Sequence, residues 1–209
     1  KNYPWSAAFR TRNVLARKLL DVSLMSELPF CFSDSDICYI RPFSGFPETA
    51  ALVFTYSNLE AYSIRPWHVG RSVAMPSRVN TGMMYVREFD LDFIEWFLSR
   101  RELQSVLRRM PFWAEQTAWA ALGAHLGCEL IVPEQIAVWT PTLKLTGDLV
   151  GIHFTTAVRD KVSLYQWMGV SPVTTLRTFV PSPLSPWSLA VLQLQRSAGR
   201  VWRSYVPRK

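Results

Sequence analysis

A chain of 209 residues, 49% hydrophobic and 19% charged, is long enough for one sizeable core and too apolar to remain disordered. It contains no run of about 18 uninterrupted apolar residues, which argues against a membrane-crossing helix, and its first residues lack the basic-then-apolar layout of a signal peptide. The net charge of +7 is uneven: Lys161, Arg177, Arg196, Arg200, Arg203, Arg208 and Lys209 are the only charged residues after Asp160, so a neutral body carries a basic end.

In chain order, residues 6 to 22, "SAAFRTRNVLARKLLDV", set Leu15, Leu19 and Val22 at helical spacing among Arg and Lys, which predicts an amphipathic helix. "LPFCFSDSDICYI" follows with β-prone aromatic residues running into an acidic pair, the helix-then-strand rhythm of an α/β domain. Residues 51 to 56 read as a strand, and 57 to 78 hold Pro, Gly, Trp and His without period, as a functional loop does. "RVNTGMMYVRE" reads as a strand entered through Asn80 and Gly82. Asp90 to Arg109 reads as one helix or two short ones, with Phe93, Trp96 and Phe97 on one face.

"AEQTAWAALGAHLG" is a second helical stretch, stopped by Gly127. "CELIVPEQIAVW" supplies one or two short strands, "LVGIHFTTAV" another, and "RDKVSLYQWMGV" a short closing helix. Pro172, Pro181, Pro183 and Pro186 mark 171–186 as a linker. The expected organisation is an α/β domain over 1–170, that linker, and a basic amphipathic helix over 187–209. Three scattered cysteines, Cys31, Cys38 and Cys128, suit neither a zinc site nor a disulfide framework, so reduced thiols and a cytosolic setting are expected.

The acidic pair raises the chemical question. On an extended strand, residues i and i+2 project to one face, so Asp34 and Asp36 would aim together. Hard divalent cations take such oxygen ligands and accept phosphate oxygens as well. The plain alternative is a solvated turn. Glu115 and Gln116 fall in the first turn of their expected helix, where the helix N-terminus alone accounts for a Glu. His153, between Ile152 and Phe154, reads as a core histidine or, with the acidic pair upstream, as a third ligand. His68 and His125 have no evident partner in the sequence.

The ordered set "SDSD", "VNTGMMYV", "AEQTAWAAL" and "GIHF" resembles the nucleotide-sugar glycosyltransferases of the GT-A fold, nearest the retaining family 8 type, over about residues 5 to 165. The resemblance implies a GT-A-like mixed sheet flanked by helices. It also implies Mn2+, or Mg2+, held by Asp34, Asp36 and His153 with the donor diphosphate, and Asn80 and Gly82 against the sugar. Glu115 and Gln116 would lie beside the reaction centre, where the family pattern has Asp first. The family's Gly and Lys after the His are replaced by Arg159 and Lys161, either of which would meet the diphosphate. Where the family has a nucleotide-binding half-sheet before the acidic pair, only about 30 residues stand here, so an N-terminally incomplete domain is expected.

The implied activity is transfer of a sugar from a nucleotide-diphosphate donor, UDP-sugar by resemblance, to a saccharide, lipid-linked or protein hydroxyl, with retention. The basic helix of 187–209 would suit an anionic membrane surface, making the protein peripheral there. A nucleic-acid partner is not expected from a neutral body without a binding motif. Two other classes compete: a catalytically inactive transferase-like binding protein, and a metal-dependent phosphoesterase, which normally gathers more Asp and His ligands.

Overall fold

The computed structural model describes residues 1–109, 111–164 and 174–205, and these form a mixed α/β arrangement. Helices α1 (Pro4–Arg12) and α2 (Ala16–Met25) open the chain. The single helix expected over 6–22 is broken between them, where Asn13 ends α1 in extended backbone. Strands β1 (Phe30–Ser33), β2 (Ile37–Tyr39), β3 (Phe43–Ser44), β4 (Leu52–Tyr56) and β5 (Val79–Val86) follow, with a 3-10 turn at Pro66–His68 inside the loop before β5.

Three helices come next, α3 (Leu91–Ser99), α4 (Arg101–Arg109) and α5 (Pro111–Leu126), then β6 (Cys128–Ile131), β7 (Ile136–Val138) and β8 (Gly151–His153). Asp90 caps α3 by accepting from Phe93 N at 2.9 Å, which stops the helix extending backward. Phe97 is buried on the core face of α3, whereas Trp96 is 43% exposed, so the aromatic trio does not share one face. Gly127 ends α5 at φ +93°, a left-handed conformation that favours glycine.

The large sheet has the order β1-β5-β4-β6, extended at its edge by β10 (Thr178–Phe179). β4 and β6 run parallel, and β5 is antiparallel to both β1 and β4. A small sheet, β2-β8-β7, stands beside it, and β3 pairs with β9 (Thr174–Thr175). The proline-rich segment expected as a linker therefore contributes two strands, because the β-prone Thr174–Phe179 stretch lies free of its prolines. α6 (Pro186–Tyr205) closes the described chain. The closing helix expected from Arg159 is a 3-10 segment over Thr156–Leu164, and the rest of that expectation lies outside the described residues.

The core lies between the large sheet and α5. β5 is buried along nearly its whole length, and Trp119 of α5 packs edge-on to Phe54 of β4 with ring centroids 6.3 Å apart. Gly123 lets the helix settle on the sheet: a Cβ there would lie 2.9 Å from the Phe54 ring and 3.1 Å from Cys128 Sγ. Each large apolar side chain enclosed here contributes roughly 1.5–3 kcal/mol. No helix among the described residues is long and apolar enough to cross a membrane.

Candidate metal and donor site

β1, β4 and β6 run in one direction, so their carboxyl ends share an edge of the large sheet, the usual ligand side of an open α/β sheet. A cleft of about 400 Å³ opens there. Asp34 and Asp36 do not lie on a strand, as the sequence suggested. They occupy the turn between β1 and β2, closed by Ile37 N donating to Asp34 O at 3.2 Å. Ser and Asp favour such turns because their side chains compete for backbone hydrogen bonds.

The turn holds the two carboxylates differently. Asp36 is buried, and His153 comes to it because β2 pairs antiparallel with β8 in a register that sets Ile37 opposite His153. His153 Nε2 lies 3.2 Å from Asp36 Oδ1. Asp34 is partly exposed, and one ligand atom from each of Asp34, Asp36 and His153 falls within 4.8 Å of the others. Apart from that one contact with the imidazole, Asp36 Oδ1 has no hydrogen-bond partner, and His153 Nδ1 is enclosed with none. Orphaned buried acceptors are costly, and a divalent cation is the kind of group that relieves them. Two carboxylates and a neutral imidazole could hold a divalent cation; burial lowers the His153 pKa, against the pull of Asp36 and Asp34, and so favours the neutral ring a metal needs.

Two cations share the site. Lys18 of α2 sets its Nζ 3.0 Å from both oxygens of Asp34 and 4.7 Å from the centre of the Phe32 ring. Arg159 donates Nε at 3.0 Å and Nη2 at 2.8 Å to Asp36 Oδ2. Lys161 turns instead to Asp160 on the surface, Nζ to Oδ2 at 2.6 Å, and does not line the cleft. Lys18 escapes sequence reasoning because nothing in the α2 pattern separates it from the solvated lysines of any amphipathic helix.

A break in pairing shapes the cleft wall. Opposite β4, the register of β5 jumps between Met84 and Asn80, which frees Thr81, Gly82 and Met83 from that strand. Gly82 is required there, since a Cβ would stand 2.5 Å from His153 Cε1 and 2.7 Å from its Nδ1. Asn80 lines the cleft, but its Oδ1 already accepts from Gly82 N at 2.7 Å and Thr55 Oγ1 at 3.1 Å, leaving the amide nitrogen for other duties.

Glu115 and Gln116 form part of the opposite wall. α5 begins at Pro111, so both fall in its second turn rather than its first, where the helix N-terminus acts less strongly. Burial instead dominates, and it pushes the Glu115 pKa up to about 7, with Lys18 opposing and Asp34 reinforcing. Glu115 Oε2 lies 3.4 Å from Thr81 Oγ1, and Oε1 takes no hydrogen bond. Gln116 Nε2 donates to Ala61 O at 2.9 Å and pins the loop after β4. His68 is buried, and His125 stacks on Phe93 and lies 3.2 Å from Asp90, both outside the cleft. The cysteines are free thiols. No family model matches the chain, nor does any curated protein or solved structure.

Proposed function

We propose that the chain is a metal-dependent glycosyltransferase of GT-A type, moving a sugar from a nucleotide-diphosphate donor, a UDP-sugar, to a hydroxyl acceptor with retention. The observation that carries the reading is the convergence, on one cleft, of residues from four separated sequence motifs: Asp34 and Asp36, Asn80 and Gly82, Glu115 and Gln116, and His153. Asp34, Asp36 and His153 would hold Mn2+ or Mg2+, which when bound would offset charge on the departing diphosphate. Arg159 and Lys18, already in the cleft, bring two more positive charges to bear on that leaving group. Glu115, protonated up to about pH 7, can donate a hydrogen bond to a sugar or acceptor oxygen, a role closed to an ionised carboxylate.

A second reading, a transferase-like binding protein without turnover, draws on the same two cations. Lys18 and Arg159 already neutralise Asp34 and Asp36, so the carboxylates are held without a metal. Calorimetric titration of UDP with and without Mn2+, on the wild type and on Asp36→Asn, separates them. The transferase reading expects Mn2+ to strengthen UDP binding and Asp36→Asn to abolish that gain, a loss of at least about tenfold. UDP binding indifferent to both metal and substitution would leave only the binding protein.

A further inference from the structure

Away from the cleft, α6 and the 3-10 turn at Pro66–His68 meet in a face of unusual composition. Leu189 is fully enclosed in the main core, and Gln193 Nε2 donates to Ile64 O at 2.8 Å, so these two residues fix which side of α6 packs on the body. The opposite side is left open. Trp187 is 77% exposed, Val191 37% and Leu194 70%, at spacings of four and three residues that keep them on one helical stripe. The sequence continues that spacing at Ala198, Trp202 and Tyr205.

The neighbouring turn adds to the stripe. Trp67 is 60% exposed, with the Arg65 guanidinium carbon 5.7 Å from its ring centre. A shallow recess of about 430 Å³ lies between Trp67 and Trp187, floored by Pro66 and Pro186 and edged by Arg71. Exposed Trp beside Arg is the pairing that settles at a lipid headgroup boundary, where the indole finds both apolar and polar surroundings. Single exposed apolar residues are common on protein surfaces, but a continuous helical stripe joined to a second exposed indole is not.

We propose that this face, Trp67 with the Trp187, Val191 and Leu194 stripe of α6, docks on an anionic lipid surface with α6 lying in the headgroup plane. Charge selects this occupant over a second copy of the chain. Arg65 and Arg71 flank Trp67 and the recess, and α6 brings no acidic residue to the face, so two such faces brought together would repel while an anionic surface attracts both. The inference stands on the exposed stripe and charge alone and does not depend on the chemistry of the cleft.

The test is co-sedimentation of the chain with vesicles of phosphatidylcholine alone and of phosphatidylcholine mixed with phosphatidylglycerol. The wild type should partition to the mixed vesicles, less so at high salt, and Trp187→Ser with Leu194→Ser should lower that partition by about tenfold or more. Trp67→Ser should weaken it, and Trp96→Ser, on α3 and also exposed, should leave it unchanged. Circular dichroism of each variant confirms that it is folded. No partition to mixed vesicles, or equal partition of the double variant, would overturn the inference. So would sedimentation velocity showing a dimer that the same double substitution dissolves, which would give the face to a second copy.

Discussion

Gly82 and Glu115 set the finest constraints on the cleft. At Gly82 the space a methyl would need is filled by the His153 ring and by Asn80 Oδ1, 2.8 Å from the Cβ position. Neither neighbour is the free end of a flexible chain. Gly82→Ala should therefore cost about 1–3 kcal/mol in urea denaturation and weaken Mn2+ binding, followed by electron paramagnetic resonance, by more than about tenfold. A variant that matched the wild type in both would show that the ring is free to move aside. Glu115 makes a pH prediction. The folded chain keeps its proton up to about pH 7, whereas a free glutamate releases it near 4.5. The proton that favours the folded state is bound at low pH and lost as pH rises through about 7, so this residue's contribution declines across that window, by about 3 kcal/mol. His153 acts in the other sense, because its lowered pKa makes the folded state give up a proton first as pH rises toward 6.5. With chelator present, the stability difference between Glu115→Gln and the wild type should thus grow in favour of the variant from pH 4.5 to 7. A constant difference would mean that Glu115 titrates as it does in water.

Among the elements, the proline-bearing stretch after the small sheet shows how a short segment is held. Gln135, almost fully buried before β7, donates Nε2 to Thr175 O at 2.9 Å and accepts from Arg177 N at 2.6 Å. Those two bonds fall at the junction of β9 and β10 and join it to the body. Gln135→Ala should destabilise the fold by about 1–3 kcal/mol, since it removes both hydrogen bonds that this buried side chain makes to the backbone of Thr175 and Arg177, and should speed hydrogen exchange at the Arg177 amide above the global unfolding rate. Unchanged exchange would mean that the strands are held by their ladders alone. The long elements were legible in sequence for a physical reason: α5 and β5 have enough residues for their period or their continuous burial to stand out, and Gly127 marks a stop that backbone geometry enforces. β9 and β10, two residues each, are too short to have a period, and their existence depends on partners far along the chain.

For the molecule as a whole, what was legible in the candidate site was the set of residues more than their arrangement. Asp34, Asp36, Asn80, Gly82, Glu115, Gln116, His153 and Arg159 all line one cleft, yet the sequence put the aspartates on a strand and offered no sign of Lys18. The reason is that turn geometry and ion pairing are decided by distant partners, whereas residue type is local. The acidic turn also has a mechanical position. Asp34 N donates to Gly82 O at 2.6 Å, on the large sheet, and Asp36 O accepts from Phe154 N at 2.8 Å, just past the small sheet's β8. The three residues between β1 and β2 thus bridge the two sheets, one end bonded to each, over the shared apolar packing of Ile37 and Ile136 with Val53 and Met83. An ion gripped by Asp34, Asp36 and His153 would act as a staple across that bridge. Its loss would then be felt by both sheets at once.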